Sequence, residues 1–340
     1  MPHFPRHRPS NPGNLTTMII VTGGAGFIGS AFVAKLNAEG VKDIIVVDEL
    51  DSNARAKNLA NKSYLSYIGK SEFIESVRNN SLQKDVTAIV HLGACSSTTE
   101  RNIEYLRENN FNYSRDLATY CLANKIRYIY ASSAATYGDG AEGYSDDIAH
   151  IDSLKPLNPY GDSKQMMDIW ARDQKILDKV VGLKFFNVYG PNEYYKGAMA
   201  SVAWKAFNTI KETGTFSLFK SHRPDYKDGE QMRDFVYVKD CCDIMWWLLK
   251  NPSVNGIFNV GSGKARSWND LLNAVFTAMG KPITISYIDM PKELQTQYQY
   301  FTEAPMEKLR AAGYTAPLHS LEEGVRDYVT NHLMKPDQHW

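Results

Sequence analysis

The 340-residue chain has no dominant charge, because 38 basic and 38 acidic side chains cancel. That balance excludes broad electrostatic recruitment of nucleic acid or an anionic membrane, so an anionic ligand must be met by local groups. Cysteine is scarce: Cys95, Cys121, Cys241 and Cys242 are the only four. Their spacing suits neither a zinc site nor a disulfide framework, which predicts buried reduced thiols and no metal. No apolar run reaches the roughly eighteen residues that a membrane-spanning helix needs. Residues 1–17, "MPHFPRHRPSNPGNLTT", carry prolines and basic side chains but no apolar core, so they read as a disordered leader rather than a signal peptide. Internal repeats and low-complexity tracts are also missing. What is present is 43% apolar residues, enough for a full core in a soluble cytoplasmic protein.

From Met18 an apolar run, a glycine-rich turn, a helical stretch over 27–38 and a second apolar run at 44–47 spell a βαβ unit. Further strands are predicted at "AIVHLGA" (88–94), "YIYASSA" (128–134) and "VVGLKFFNVYG" (180–190), with helices between them. Such alternation predicts an α/β fold, a Rossmann-like doubly wound parallel sheet. After Pro191 the alternation gives way to polar loops and helices near 199–212, 267–279 and 319–332. The expected division is a nucleotide-binding domain over 18–190, rejoined at about 235–262, and a smaller mixed α/β substrate-binding domain over 191–234 and 263–335.

"VTGGAGFIGS" (21–30) places Gly23, Gly26 and Gly29 between strand and helix. Such a turn lets backbone N–H groups approach a pyrophosphate at the positive end of the helix dipole. Asp48, at the end of the next strand, is placed to accept from an adenosine ribose, which favours NAD. Arg55, Lys57 and Lys70 follow, and cations are what the 2′-phosphate of NADP requires. These residues leave both cofactors open.

In "NPYGDSK" (158–164) Tyr160 and Lys164 sit four apart just after a proline, so a helix starting near Pro159 projects both from one face. Ser132 and Ser133 end a predicted central strand, at the edge where ligands gather in such sheets. A phenol is a poor base unless a cation favours its anion, and Lys164 is the expected cation. Tyr160 would then take a substrate hydroxyl proton while the adjoining carbon gives hydride to the cofactor, with Ser133 bonded to the same oxygen.

"TGGAGFIG", "HLGA" (91–94), "SSAATYG" (132–138), "YGDSK" (160–164) and "FFNVYGP" (185–191) resemble, in order, the motifs of the extended short-chain dehydrogenase/reductases, the NAD(P)-dependent epimerases and dehydratases of nucleotide sugars. The resemblance spans 18–335. Within that superfamily "GACSSTTE" (93–100), "YKGAMASVA" (195–203), "RDFVYVKD" (233–240) and "LRAAGY" (309–314) resemble the branch that inverts C6 of an ADP-linked heptose. The resemblance implies tightly held NADP, a role in lipopolysaccharide core synthesis and a homo-oligomer, a pentamer in that branch. It assigns Lys196 as a second acid/base group beside Tyr160. To the cofactor it gives Gly23, Gly26, Phe27, Ile28, Gly29, Asp48, Glu49, Arg55, Lys70, Leu92, Gly93, Ala94, Cys95, Ser96, Asn109 or its neighbour Asn110, Val188, and contacts from Tyr160, Lys164 and Lys196.

To the substrate it gives Asn187, Phe219, Lys220, Ser221, His222, Arg233 and Tyr298. Ala198 and Lys205 belong to the same set, but they depart from the serine and histidine of the pattern. Read alone, Lys196 is more readily a solvated loop cation, and Arg233 equally an ion-pair partner of Asp234 or a neighbour. A 4,6-dehydratase would carry an acidic pair where Ala134 and Ala135 stand. A 4-epimerase would not need Lys196, and a non-catalytic NAD(P)-sensing module would not need Tyr160 and Lys164.

Overall fold

A computed structural model describes residues 18–50, 53–82, 85–295 and 298–340, so the expected leader lies outside the described residues. The chain opens with β1 (Met18–Thr22), α1 (Phe27–Ala38), β2 (Ile44–Asp48), a short α2 (Asn53–Lys57), β3 (Ser66–Gly69), α3 (Lys70–Arg78) and β4 (Val86–His91). Next come α4 (Ile103–Leu106), running through a π-helical turn into α5 (Tyr113–Asn124), then β5 (Arg127–Ser133), α6 (Pro159–Asp173) and β6 (Val180–Phe185).

The remainder is β7 (Asn187–Tyr189), α7 (Val202–Thr213), β8 (Phe216–Phe219), β9 (Met232–Tyr237), α8 (Val238–Lys250), β10 (Gly256–Val260), β11 (Ala265–Ser267), α9 (Trp268–Ala278), β12 (Ile285–Ile288), α10 (Lys292–Gln295), α11 (Glu307–Ala311) and α12 (Leu321–Tyr328).

Seven parallel strands form the main sheet in the order β10-β6-β5-β4-β1-β2-β3. Because side chains alternate along a strand, the apolar runs feed two separate cores. Ile19, Val21, Ile44, Val46, Val90 and Leu183 pack with Phe32 and Leu36 of α1 and Met245 and Leu248 of α8. Ile20, Ile45, Val47, Ile89 and Tyr128 pack on the other face with Phe73 of α3, Leu117 of α5 and Met167 of α6. Each fully buried aliphatic or phenyl side chain contributes about 1.5–3 kcal/mol. The two layers leave the carboxyl edge of the sheet open for a ligand.

The run 180–190, expected as one strand, is two. β6 stays in the main sheet, the chain turns at Phe186, whose N–H bonds the Val260 carbonyl at 3.0 Å, and β7 joins β9 and β11 in a separate three-stranded sheet. β3 was not expected; it is short, only half-buried and lacks an apolar run. β8 and β12 form a third, two-stranded parallel sheet. Of the four free thiols, three are buried as expected, but Cys95 is half-exposed and faces the cavity described below.

Beneath the carboxyl edge, Asp168 of α6 is fully buried and accepts from Tyr130 at 2.9 Å and Ser132 at 2.7 Å, and pairs with Lys184 of β6 at 2.8 Å. The Lys184 ammonium also donates to Thr136 at 2.7 Å. Removing one member of a buried pair strands the other charge, at a cost of about 3–5 kcal/mol. Lys184→Met should therefore lower the unfolding free energy from urea denaturation by an amount in that range, and an unchanged value would show that Asp168 needs no partner.

Candidate active site

The glycine turn owes its shape to close backbone approach. Gly23 has φ +66°, and a Cβ there would sit 2.6 Å from the Gly93 nitrogen. A Cβ on Gly29 would lie 2.0 Å from the Gly23 carbonyl oxygen, so only glycine lets α1 start against the turn. Asp48 closes the turn from β2. Its Oδ2 accepts the Ala25 N–H at 2.8 Å, while Oδ1 accepts the Glu49 N–H at 2.7 Å and also pairs with the Arg55 guanidinium. The carboxylate expected to face a ribose is thus already engaged on both oxygens.

Asn158 caps α6 by accepting the Gly161 N–H at 2.9 Å, and Pro159 fills the first helical position, where a missing N–H costs nothing. A Cβ on Gly161 would fall 2.8 Å from the Ala135 carbonyl, so α6 lies hard against the turn that follows β5. This approach brings Tyr160 to Ser133. Burial raises the Tyr160 phenol above its ordinary range, and the hydrogen bond from Ser133 draws it back down.

Lys164 donates to the Ala131 carbonyl at 2.8 Å, and burial pushes its pKa down to about 8 despite the favourable charge of Asp168. Ser133 is thus the group bonded to the Tyr160 phenol, while Lys164, still largely a cation at neutral pH, sits on the Ala131 carbonyl.

These groups line one cavity of about 370 Å³. Around it stand Gly23, Gly26, Phe27, Ile28, Gly29, Asp48, Glu49, Arg55 and Lys70 on the β1–β3 side, and Leu92, Gly93, Ala94, Cys95, Ser96 and Asn109 after β4 and on the π-helical turn. Ser133, Tyr160, Lys164, Val188 and Lys196 complete it. Between the two asparagines the geometry decides: Asn109 reaches the cavity, whereas Asn110 is buried and clamps the Cys95 backbone at 2.8 and 3.0 Å and the Ser163 hydroxyl at 2.9 Å. Lys196 is no solvated cation. Its ammonium lies 5.4 Å from the Phe27 ring centre, and burial lowers its pKa, partly offset by Glu193 and reinforced by the neighbouring Lys205.

The residues expected to hold the sugar nucleotide do not line this cavity, and most gather around β8 and β9. Arg233 is buried, bonded to the Met232 carbonyl at 2.8 Å and sandwiched between Trp268 and Tyr298 at 5.7 and 5.2 Å. Among the described residues no carboxylate pairs with it: Asp234 instead accepts from the N–H groups of Ser262, Gly263 and Ala304. His222 and Ser221 bond the Tyr300 hydroxyl at 2.8 and 3.3 Å, Lys220 pairs with Asp289 at 2.9 Å, and Phe219 ends β8. Asn187 opens β7 with its side chain exposed. Lys205 donates to the Ala198 carbonyl at 2.6 Å, so the two departures from the family pattern touch each other.

Sequence reasoning missed Thr22, His91 and Tyr195. His91 bonds Thr22 at 2.6 Å and Ser114 at 2.8 Å, and burial pushes its pKa down to about 3, so it is neutral and holds β4 to β1 and α5. Tyr195 crosses from the loop after β7 to the glycine turn, where its hydroxyl accepts the Phe27 N–H at 3.1 Å. Its only signal in the sequence is its place beside Lys196.

Residues 19–261 match the model of the NAD dependent epimerase/dehydratase family, and the chain belongs to that family. It is an epimerase, an isomerase by reaction class. It is 56% identical over 320 residues to the ADP-L-glycero-D-manno-heptose-6-epimerase of Nitratidesulfovibrio vulgaris strain DP4, covering 94% of this chain and 99% of that one. Among solved structures it is similar to the crystal structure of ADP-L-glycero-D-manno-heptose-6-epimerase from Helicobacter pylori, with a TM-score of 0.78 and 30% identity over 93% of this chain and 96% of that one. It is also similar to the Thermus thermophilus UDP-glucose 4-epimerase complex with NAD, with a TM-score of 0.71 and 25% identity over 92% of this chain and 97% of that one.

The depressed Lys164 pKa has a stability consequence. A lysine titrating near 8 in the folded chain and near 10.5 when unfolded destabilises the fold below pH 8, and the penalty lifts as pH rises between those values. Wild-type stability should therefore gain about 2 kcal/mol on Lys164→Met between pH 7.5 and 9.5. A pH-independent difference in urea unfolding would mean that burial does not suppress the charge.

Proposed function

We propose that the enzyme inverts C6 of ADP-D-glycero-β-D-manno-heptose to give the L-glycero epimer, by transient oxidation with tightly bound NADP, for lipopolysaccharide core synthesis. On this reading it works in the cytoplasm as a homo-oligomer, pentameric as the resemblance implies. The observation that carries the proposal is that Tyr160 and Lys196 reach one cavity from different elements, α6 and the loop after β7. Inversion needs an acid/base group on each side of the carbon, because the hydroxyl proton leaves on one face and returns on the other.

What supports a dinucleotide is that Gly23, Gly26, Gly29 and Gly93, free of side chains, line the cavity at the N-terminus of α1. A nicotinamide bound here would supply reversible hydride acceptance. Tyr160 takes the C6 hydroxyl proton, and Ser133 holds that oxygen. Lys196, its charge disfavoured by burial, exchanges a proton on the opposite side after the carbonyl has turned. Arg55 neutralises Asp48, and with Lys70, 3.1 Å from Glu49, it offers cations to a 2′-phosphate; this supports NADP over NAD. Arg233 supplies the guanidinium for the diphosphate, and residues 191–234 and 263–335 form the substrate side.

Incubation with ADP-D-glycero-β-D-manno-heptose and no added cofactor should give a mixture of both C6 epimers by NMR. Tyr160→Phe and Lys196→Ala should each lower kcat about 10²-fold or more while nucleotide stays bound. Full activity in Lys196→Ala would remove it as the second acid/base group, and no conversion by wild type with its nucleotide bound would move the substrate to another nucleotide sugar. Nucleotide extracted from the purified enzyme should be NADP, and NAD alone would refute that choice.

A further inference from the structure

We infer that Tyr195 is a cofactor-binding residue, a clasp that keeps the dinucleotide in place between turnovers. The inference rests on the dinucleotide part of the proposed function and not on the identity of the sugar. Three contacts place the side chain over the phosphate end of the cavity. Its hydroxyl accepts the Phe27 N–H at 3.1 Å, and this is a donor at the first turn of α1, where a pyrophosphate is expected. A Cβ on Gly26 would lie 3.3 Å from that hydroxyl, so the phenol rests on the glycine cradle itself. The Arg55 guanidinium lies 5.6 Å from the ring centre while pairing with Asp48.

The side chain thus spans from Arg55 of α2, which pairs with Asp48 at the end of β2, to the N-terminus of α1, where a dinucleotide would pass from adenosine to pyrophosphate. A hydroxyl can accept and donate at once. A phosphate oxygen bound at this helix start would compete for or share the Phe27 N–H, and the Tyr195 hydroxyl would lie within reach of the same oxygen.

The loop that delivers Tyr195 is fixed at its root. Asn192 is buried; its side chain donates to Ser30 of α1 at 3.1 Å, and its carbonyl accepts from the buried Asn58 at 3.0 Å. Asn58 also donates to the Ala25 carbonyl within the glycine turn at 3.0 Å. Glu193, next in sequence, accepts from the Gly190 N–H at 3.3 Å, the Ser201 hydroxyl at 2.7 Å and the Tyr328 hydroxyl at 3.0 Å. Tyr195 therefore reaches the cofactor site from a preorganised base, so little ordering entropy opposes its contact. The same short segment carries Lys196, which couples holding the cofactor to presenting the acid/base group. An enzyme that returns its hydride to the same substrate gains from a cofactor that does not leave with the reaction half done.

The test is release of nucleotide. Wild type, Tyr195→Phe and Tyr195→Ala, purified with their nucleotide, are chased with excess isotopically labelled NADP, and the unlabelled nucleotide that leaves is followed by gel filtration and mass spectrometry. Loss of one hydrogen bond to a charged group corresponds to roughly a 10-fold or greater rise in the release rate for Tyr195→Phe. Tyr195→Ala, which also removes the ring beside Arg55, should release faster still. Tyr195→Phe keeps the ring and is expected to fold, as circular dichroism and the melting temperature of the nucleotide-free forms will check. Release at the wild-type rate from both folded variants overturns the inference. If the sugar assignment alone is wrong, the heptose is not converted but wild type still holds its nucleotide more tightly than both variants.

Discussion

Much of the site depends on how closely α1 begins behind the glycine turn. The 2.0 Å that would separate a Gly29 Cβ from the Gly23 carbonyl leaves no room for any other residue, and the turn, once made, sets the direction of the first helical N–H groups. Asp48 holds the turn from β2 and Asn58 from just after α2, while Asn192, in the loop after β7, holds Ser30 of α1. Cofactor cradle and acid/base loop are therefore one mechanical unit, although they lie about 170 residues apart in sequence.

The second determinant is charge kept out of water. Asp168 and Lys184 pair beneath the carboxyl edge, tied to Tyr130, Ser132 and Thr136, and Lys164 stands above them with its ammonium on a carbonyl. Burial works against the charged forms of Tyr160, Lys164 and Lys196 alike. The two lysines are thereby moved toward neutral pH, where proton transfer is efficient, whereas the Tyr160 phenol is moved away from it and is helped only by the Ser133 bond.

The sequence made part of this plain. β1, α1 and β2 were legible because period-2 and period-3.6 patterns met at glycines, and α6 because Asn158 and Pro159 announce its start. β3 was not, since four half-buried residues carry no pattern, and the break at Phe186 was hidden inside a continuous apolar run. Lys196 and the group around Arg233 were readable only through resemblance, because a polar loop looks the same whether it faces solvent or a ligand. Asp48 was found, but not its engagement by Ala25 and Arg55, and Tyr195 was missed because its partner is a backbone N–H 168 residues away.

The central claim is that C6 is inverted by hydride borrowed and returned within one cavity. The most direct measurement starts from ADP-D-glycero-β-D-manno-heptose carrying deuterium at C6, in ordinary water and with catalytic amounts of enzyme, and follows the label in both epimers by NMR and mass spectrometry. The account predicts that both epimers keep the deuterium at C6 with no wash-out to solvent. Replacement of the label by solvent hydrogen during inversion would show that the carbon is deprotonated rather than oxidised, and would contradict it.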